Sequence, residues 1–148
     1  MIQAALQQQQ PAVPRPIHRR AIVPQHHITA HCRLNEDYFA PEPRFGENMF
    51  RRRFTMRRPL FLCILGALER RYEYFRIRED AVGKPGHTPI QKYTAAIRQL
   101  TYGCATDMFD EYFHIGKTTV RECLQYFCEG VREIFWERYH RKPTPEDC

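Results

Sequence analysis

The chain has 148 residues, 43% of them apolar, with 23 lysines and arginines against 17 acids and a formal net charge of +6. That length suits one domain of ordinary size, and no apolar run is long enough to span a bilayer or to serve as a secretory segment. Six cysteines, at positions 32, 63, 104, 123, 128 and 148, include no C-x-x-C pair, so reduced thiols in an intracellular compartment are the expectation.

The first stretch, residues 1–32, carries four consecutive glutamines (Gln7 to Gln10), prolines at 11, 14, 16 and 24, and few bulky apolar side chains. Such a segment buries too little apolar surface to offset the entropy of ordering it, and a disordered tail is expected. Its acid-poor, arginine-containing character would also fit a mitochondrial presequence. The glutamines, the prolines and the lack of serine argue against that.

A helical domain is expected over residues 33–142. His31 to Phe39 reads as a short helix, and Ala40-Pro41-Glu42-Pro43 interrupts it. Gly46 to Phe54 suits a second helix, with Phe50 and Phe54 four apart and inward while Arg51, Arg52 and Arg53 fan outward. Pro59 fits the first position of a third helix. The run Leu60-Phe61-Leu62-Cys63-Ile64-Leu65 that follows is apolar nearly all round, which marks a central helix. Leu68, Tyr72 and Phe75 continue its buried side. Asp80 to His87, with Gly83, Pro85 and Gly86, is a loop.

Thr88-Pro89-Ile90-Gln91 then starts a helix. A threonine at the N-cap accepts from an orphan amide, Pro89 needs no amide partner, and Gln91 reaches back as in a capping box. Ile90, Tyr93, Ile97 and Leu100 recur at the period of one buried face, and Gly103 ends the helix. Thr106 caps a short helix carrying Met108, Phe109, Tyr112 and Phe113. His114-Ile115-Gly116 makes a turn, and a long helix begins near Lys117 with Val120, Leu124, Phe127, Val131 and Ile134 on one side. Its 23 or so residues span roughly 35 Å, until Lys142-Pro143-Thr144-Pro145 stops it. Residues 143–148 read as the start of a linker. With no alternating strand pattern, the expected fold class is all-α, with a helix-turn-helix-like core.

Three chemical readings fail on spacing. Gly116-Lys117-Thr118-Thr119 lacks the earlier glycine of a phosphate loop, because position 111 is Glu, and no strand feeds it. His26, His27, His31 and Cys32 find no matching Cys/His pair later in the chain to complete a zinc site. Asp107, Asp110 and Glu111 sit within five residues of one another, whereas two-metal sites gather acids from separate elements. No nucleophile-base arrangement stands out. The expectation is a non-catalytic protein with no cofactor, metal or small-molecule substrate.

A helix-turn-helix places its last helix in a DNA major groove. Here the leading face of that helix offers Lys117, Thr118, Arg121 and Gln125, types suited to phosphates and base edges. Against this, residues 105–130 carry five acids and two basic residues. The phosphate-seeking charge lies instead between Arg44 and Arg58, where six arginines face the single acid Glu47. The expected DNA-binding set is therefore Arg51, Arg52, Arg53, Arg57 and Arg58 for phosphates, with Lys117, Thr118, Arg121 and Gln125 approaching the groove. The alternatives are a protein-interaction module in which the helix-turn-helix serves packing, or a gene fragment with no selected role.

The segments from Phe50 to Leu62, from Pro89 to Arg98, from Asp110 to Gly116 and from Arg141 to Asp147 stand in one order along the chain. Together they resemble the region that precedes the nuclease domain in plant PIF/Harbinger-type transposases and their domesticated relatives. The resemblance covers about Arg33 to Asp147. It implies a truncated or remnant transposase, a nuclear location, and a Myb-like accessory partner that contributes DNA binding. The family's nuclease acids have no positions here to be carried onto. Arg57 stands where similar proteins often have a small capping residue.

Overall fold

The computed structural model describes residues 26–103 and 113–140. Among them are five α-helices and no strand: α1 (His27–Tyr38), α2 (Glu47–Phe54), α3 (Arg58–Arg71), α4 (Pro89–Tyr102) and α5 (Lys117–Tyr139), with a 3-10 turn at Glu73–Phe75. The fold is all-α. An isolated bridge between Glu79 and Pro85 pins the base of the loop before α4, and Asp80 Oδ1 accepts from the amides of Val82 and Lys84 at its tip.

Local signals set most helix ends. At α4 the capping box is complete: Gln91 N–H donates to Thr88 Oγ1 at 3.3 Å, and Thr88 N–H donates to Gln91 Oε1 at 2.9 Å. Gly103 closes α4 in the left-handed conformation at φ 54°, where a glycine carries no Cβ penalty. α2 ends at Thr55, also left-handed at φ 57°. There the β-branched side chain opposes the conformation by about 1–2 kcal/mol. α3 begins at Arg58, one residue before Pro59, and its N-cap Arg57 makes no side-chain cap.

A run of aromatic rings crosses the helices. Phe50 and Phe54 of α2 lie 4.4 Å apart, Phe61 of α3 is 5.1 Å from Phe54, Tyr93 of α4 is 4.3 Å from Phe61, and Phe127 of α5 is 5.4 Å from Tyr93, all between ring centroids. Each of these rings is buried. Burial of one such side chain is worth about 1.5–3 kcal/mol, so this chain of contacts ties the second, third, fourth and fifth helices into one core.

The central helix is α4 rather than α3. Residues Pro89 through Ile97 are all buried except Ile90, which is half-buried, and α4 meets α1, α2, α3, the 3-10 turn and α5. Thr94, Ala95 and Ala96 are small enough to admit neighbours on several sides. On α3, in contrast, only Phe61, Leu65 and Leu68 are buried, while Leu60 is 51% exposed and Leu62 and Cys63 face outward. An apolar run states what a helix tolerates, and not how many neighbours reach it. Leu100, expected on the buried face of α4, is likewise exposed.

α1 begins at His27 and reaches back across the boundary expected at residue 33. Ala30 of that added turn is buried, and Gln91 Nε2 donates to the His27 carbonyl at 3.0 Å. No capping side chain announces this start, since His26 makes no cap hydrogen bond. The outer members of the expected helix-turn-helix, α4 and α5, pack extensively on each other, and the turn between them is anchored by buried Phe113 and Ile115. The expected short middle helix, with Thr106, Met108, Phe109 and Tyr112, falls outside the described residues. So do residues 1–25 of the expected tail, the carboxylates Asp107, Asp110 and Glu111, and residues 143–148.

Candidate nucleic-acid interface

α2 is amphipathic in the strict sense. Its buried residues are Phe50 and Phe54, and Arg51, Arg52 and Arg53 occupy its last turn, all exposed. Cations at a helix C-terminus complement the negative end of its dipole, so the helix tolerates three adjacent arginines there. The left-handed Thr55 turns the chain sharply, and Arg57, also exposed, follows two residues later. Among the described residues no carboxylate forms an ion pair with Arg51, Arg52, Arg53 or Arg57; the ion pairs present use Arg44, Arg71 and Arg78 instead.

The members of this set are not equivalent. Burial raises the Tyr38 pKa, and the Arg53 guanidinium, acting on its hydroxyl, opposes that rise. Arg58 is half-buried, with its guanidinium 5.2 Å from the Phe50 ring centroid and its amide donating to Glu47 Oε1 at 3.3 Å. That side chain is committed to packing and is poorly placed to leave for a phosphate.

On α5, Lys117, Thr118, Arg121 and Gln125 are all exposed or half-buried at the surface. Gln125 Nε2 donates to Glu129 Oε1 one turn later at 3.0 Å, which holds that amide along its own helix. Exposed Glu122 follows Arg121 directly. The leading end of α5 thus carries mixed charge, whereas the end of α2 is uniformly positive.

The helices that carry the two sets pack on the same neighbours. The main partners of both α2 and α5 are α3 and α4. Arg98, in the second half of α4, lies with its guanidinium 5.2 Å from the Phe113 ring centroid and 5.9 Å from that of Tyr102. Its charge also acts, together with that of Arg53, on the Tyr38 hydroxyl. Arg98 therefore lies near both the Tyr38 hydroxyl of α1 and Phe113 ahead of α5. Nothing in its sequence neighbourhood singles it out, since its placement depends on which side of α4 the other helices leave open.

A second exposed feature lies on the far half of α5. Phe127, Cys128, Val131, Arg132, Phe135, Trp136 and Tyr139 line an open groove of about 460 Å³. Trp136 is 51% and Tyr139 69% exposed. No helix of the described residues is long and apolar enough to cross a membrane, and no three metal-donor side chains converge among them.

A family described as "Domain of unknown function (DUF8418)" matches residues 31–69. The match takes in the latter part of α1, all of α2 and most of α3, and with them every arginine of the α2 set. No curated protein matches the chain, and no solved structure does.

Proposed function

We propose that this chain is a non-catalytic, nuclear DNA-binding domain derived from a Harbinger-type transposase, working beside a Myb-like partner. In this reading Arg51, Arg52, Arg53 and Arg57 hold backbone phosphates, and Lys117, Thr118 and Arg121 approach the duplex from α5. One observation carries it: four exposed arginines cluster at the end of α2 and the turn after it, with no ion-pair partner among the described residues. Unneutralised clusters of this kind attract polyanions and release their counterions on binding. Arg58 belongs to the packing and Gln125 to its own helix. A titration of the full chain with a labelled duplex at several salt concentrations tests the reading. Binding that weakens steeply with salt is expected; a flat response, or no binding at low salt, discards it.

The aromatic groove on α5 favours a second reading, a protein-interaction module. Contiguous exposed aromatic surface rimmed by charge is characteristic of docking faces, and Trp136 and Tyr139 are the residues such a face would use. Substituting both with Ala separates the readings, because that change leaves duplex affinity intact if DNA is the ligand of α2.

A further inference from the structure

Five histidines gather where three separate stretches of chain meet. The rings of His27, in the first turn of α1, and His87, in the loop before α4, lie 4.0 Å apart between centroids. His87 Nε2 donates to the His114 carbonyl at 3.2 Å, in the turn before α5. His26 faces the His114 ring at 6.3 Å, and His31 Nδ1 lies 3.0 Å from Thr88 Oγ1, the N-cap of α4. These contacts fasten the start of α1 and the turn into α5 to the same loop.

We propose that this cluster is a pH-operated clasp: with neutral imidazoles it holds the first turn of α1 and the 113–116 turn against the loop before α4, and protonation of the His27–His87 pair releases both.

The surroundings are arranged against a cation. Burial, His27 from α1 and Lys92 from α4 all oppose charge on His87, and outweigh the His114 carbonyl, whose hydrogen bond favours it; burial and the His114 ring oppose charge on His27. None of the side chains that act on the two rings is acidic. Two imidazolium rings at this separation repel each other directly. His27 Nδ1 is buried with no hydrogen-bond partner among the described residues, so a proton placed there meets no acceptor. His27 lies in the first turn of α1 and His31 contacts the N-cap of α4, so the positive ends of two helix dipoles disfavour added positive charge.

The energetic sign follows. Burial holds His87 down to about 4 and holds His27 below the ordinary histidine value. As pH falls from about 6.5, the ordinary histidine value, the open form takes up protons that the closed form refuses. Closure is therefore weakened progressively through that window and is fully retained above it. α4 is not part of the release, because its core from Tyr93 to Ile97 is buried against other helices.

The experiment is an imidazole NMR titration of the full chain with amide hydrogen exchange, between about pH 7.5 and pH 4.5. Two results are expected: His27 and His87 titrate below the ordinary histidine value, and protection in the first turn of α1 and at 113–116 falls at least tenfold while Tyr93 to Ile97 stays protected. His87→Gln keeps an amide donor for the His114 carbonyl but cannot titrate, and it should remove most of that loss. If this variant does not fold, His27→Asn carries the same expectation. Ordinary titration of both rings, unchanged protection, an equal loss across α4, or a variant that responds like the parent would each overturn the proposal.

Discussion

The Lys92 ammonium donates to the Tyr74 carbonyl at 2.7 Å and to the Arg76 carbonyl at 3.2 Å, from a residue that is only 8% exposed. It also lies 4.9 Å from the Tyr74 ring centroid. One side chain of the central helix thereby closes the end of the 3-10 turn, whose carbonyls have no further helix to accept from. Desolvation lowers the Lys92 pKa, and the two charge-assisted bonds are what retain it there. Lys92→Met keeps the stem and removes both bonds. Each such bond contributes about 1.5–3 kcal/mol, part of which the apolar replacement returns, so a net loss of about 1–3 kcal/mol is expected in urea unfolding. A variant as stable as the parent would show that the carbonyls find other donors.

Gly130 is the contact point of α5 with α3. A Cβ built there would stand 2.5 Å from Leu68 Cδ2 and 3.0 Å from Tyr72 Cε2. Leu68 is fully buried and has little room to yield. Gly130→Ala gains about 1 kcal/mol of helix propensity but overpacks a tight contact, which typically costs about 1–3 kcal/mol. Thermal unfolding should show a net loss, together with a weakened contact between Tyr72 and Glu133, whose side chains hydrogen-bond across the same seam. A rise in stability would contradict the close approach of the two helices.

How much of this was legible in the sequence depends on the range of the interaction. The capping box at Thr88, the stop at Gly103 and the extent of α5 are written in residues within one or two turns of each other, and the structure has them where the pattern placed them. The identity of the central helix was not legible. Leu60 to Leu65 is more apolar than Gln91 to Ile97, yet small side chains on α4 let four other helices reach it. The buried Lys92 was hidden for a similar reason, because lysine is read as surface until two carbonyls are found around it. In the candidate site, the outward fan of Arg51, Arg52 and Arg53 followed from the spacing of Phe50 and Phe54. The diversion of Arg58 onto Phe50 and the placement of Arg98 against Phe113 required the packed helices.

The cysteines separate by reactivity. Cys123 is buried and accepts or donates a hydrogen bond with the Tyr74 hydroxyl at 3.3 Å, and burial pushes its thiol up to about 11. Since the thiolate is the reactive species, Cys123 should resist a maleimide or aromatic disulfide at about pH 8 until the chain unfolds. Cys32, Cys63 and Cys128, all exposed, should label readily. Peptide mapping after brief labelling distinguishes them. Prompt modification of Cys123 would mean that the seam between α5 and the 3-10 turn opens easily.

The most direct test of the DNA reading compares the parent with Arg51→Ala/Arg52→Ala/Arg53→Ala in duplex titrations over a range of salt, with circular dichroism to verify that both are folded. If these arginines hold phosphates, affinity falls similarly on unrelated duplexes, and the slope of log K against log salt becomes shallower by about 0.9 for each phosphate that is no longer neutralised. A folded variant with the parent's affinity and slope would remove the α2 arginines from any DNA interface and leave the aromatic groove of α5 as the surface to pursue.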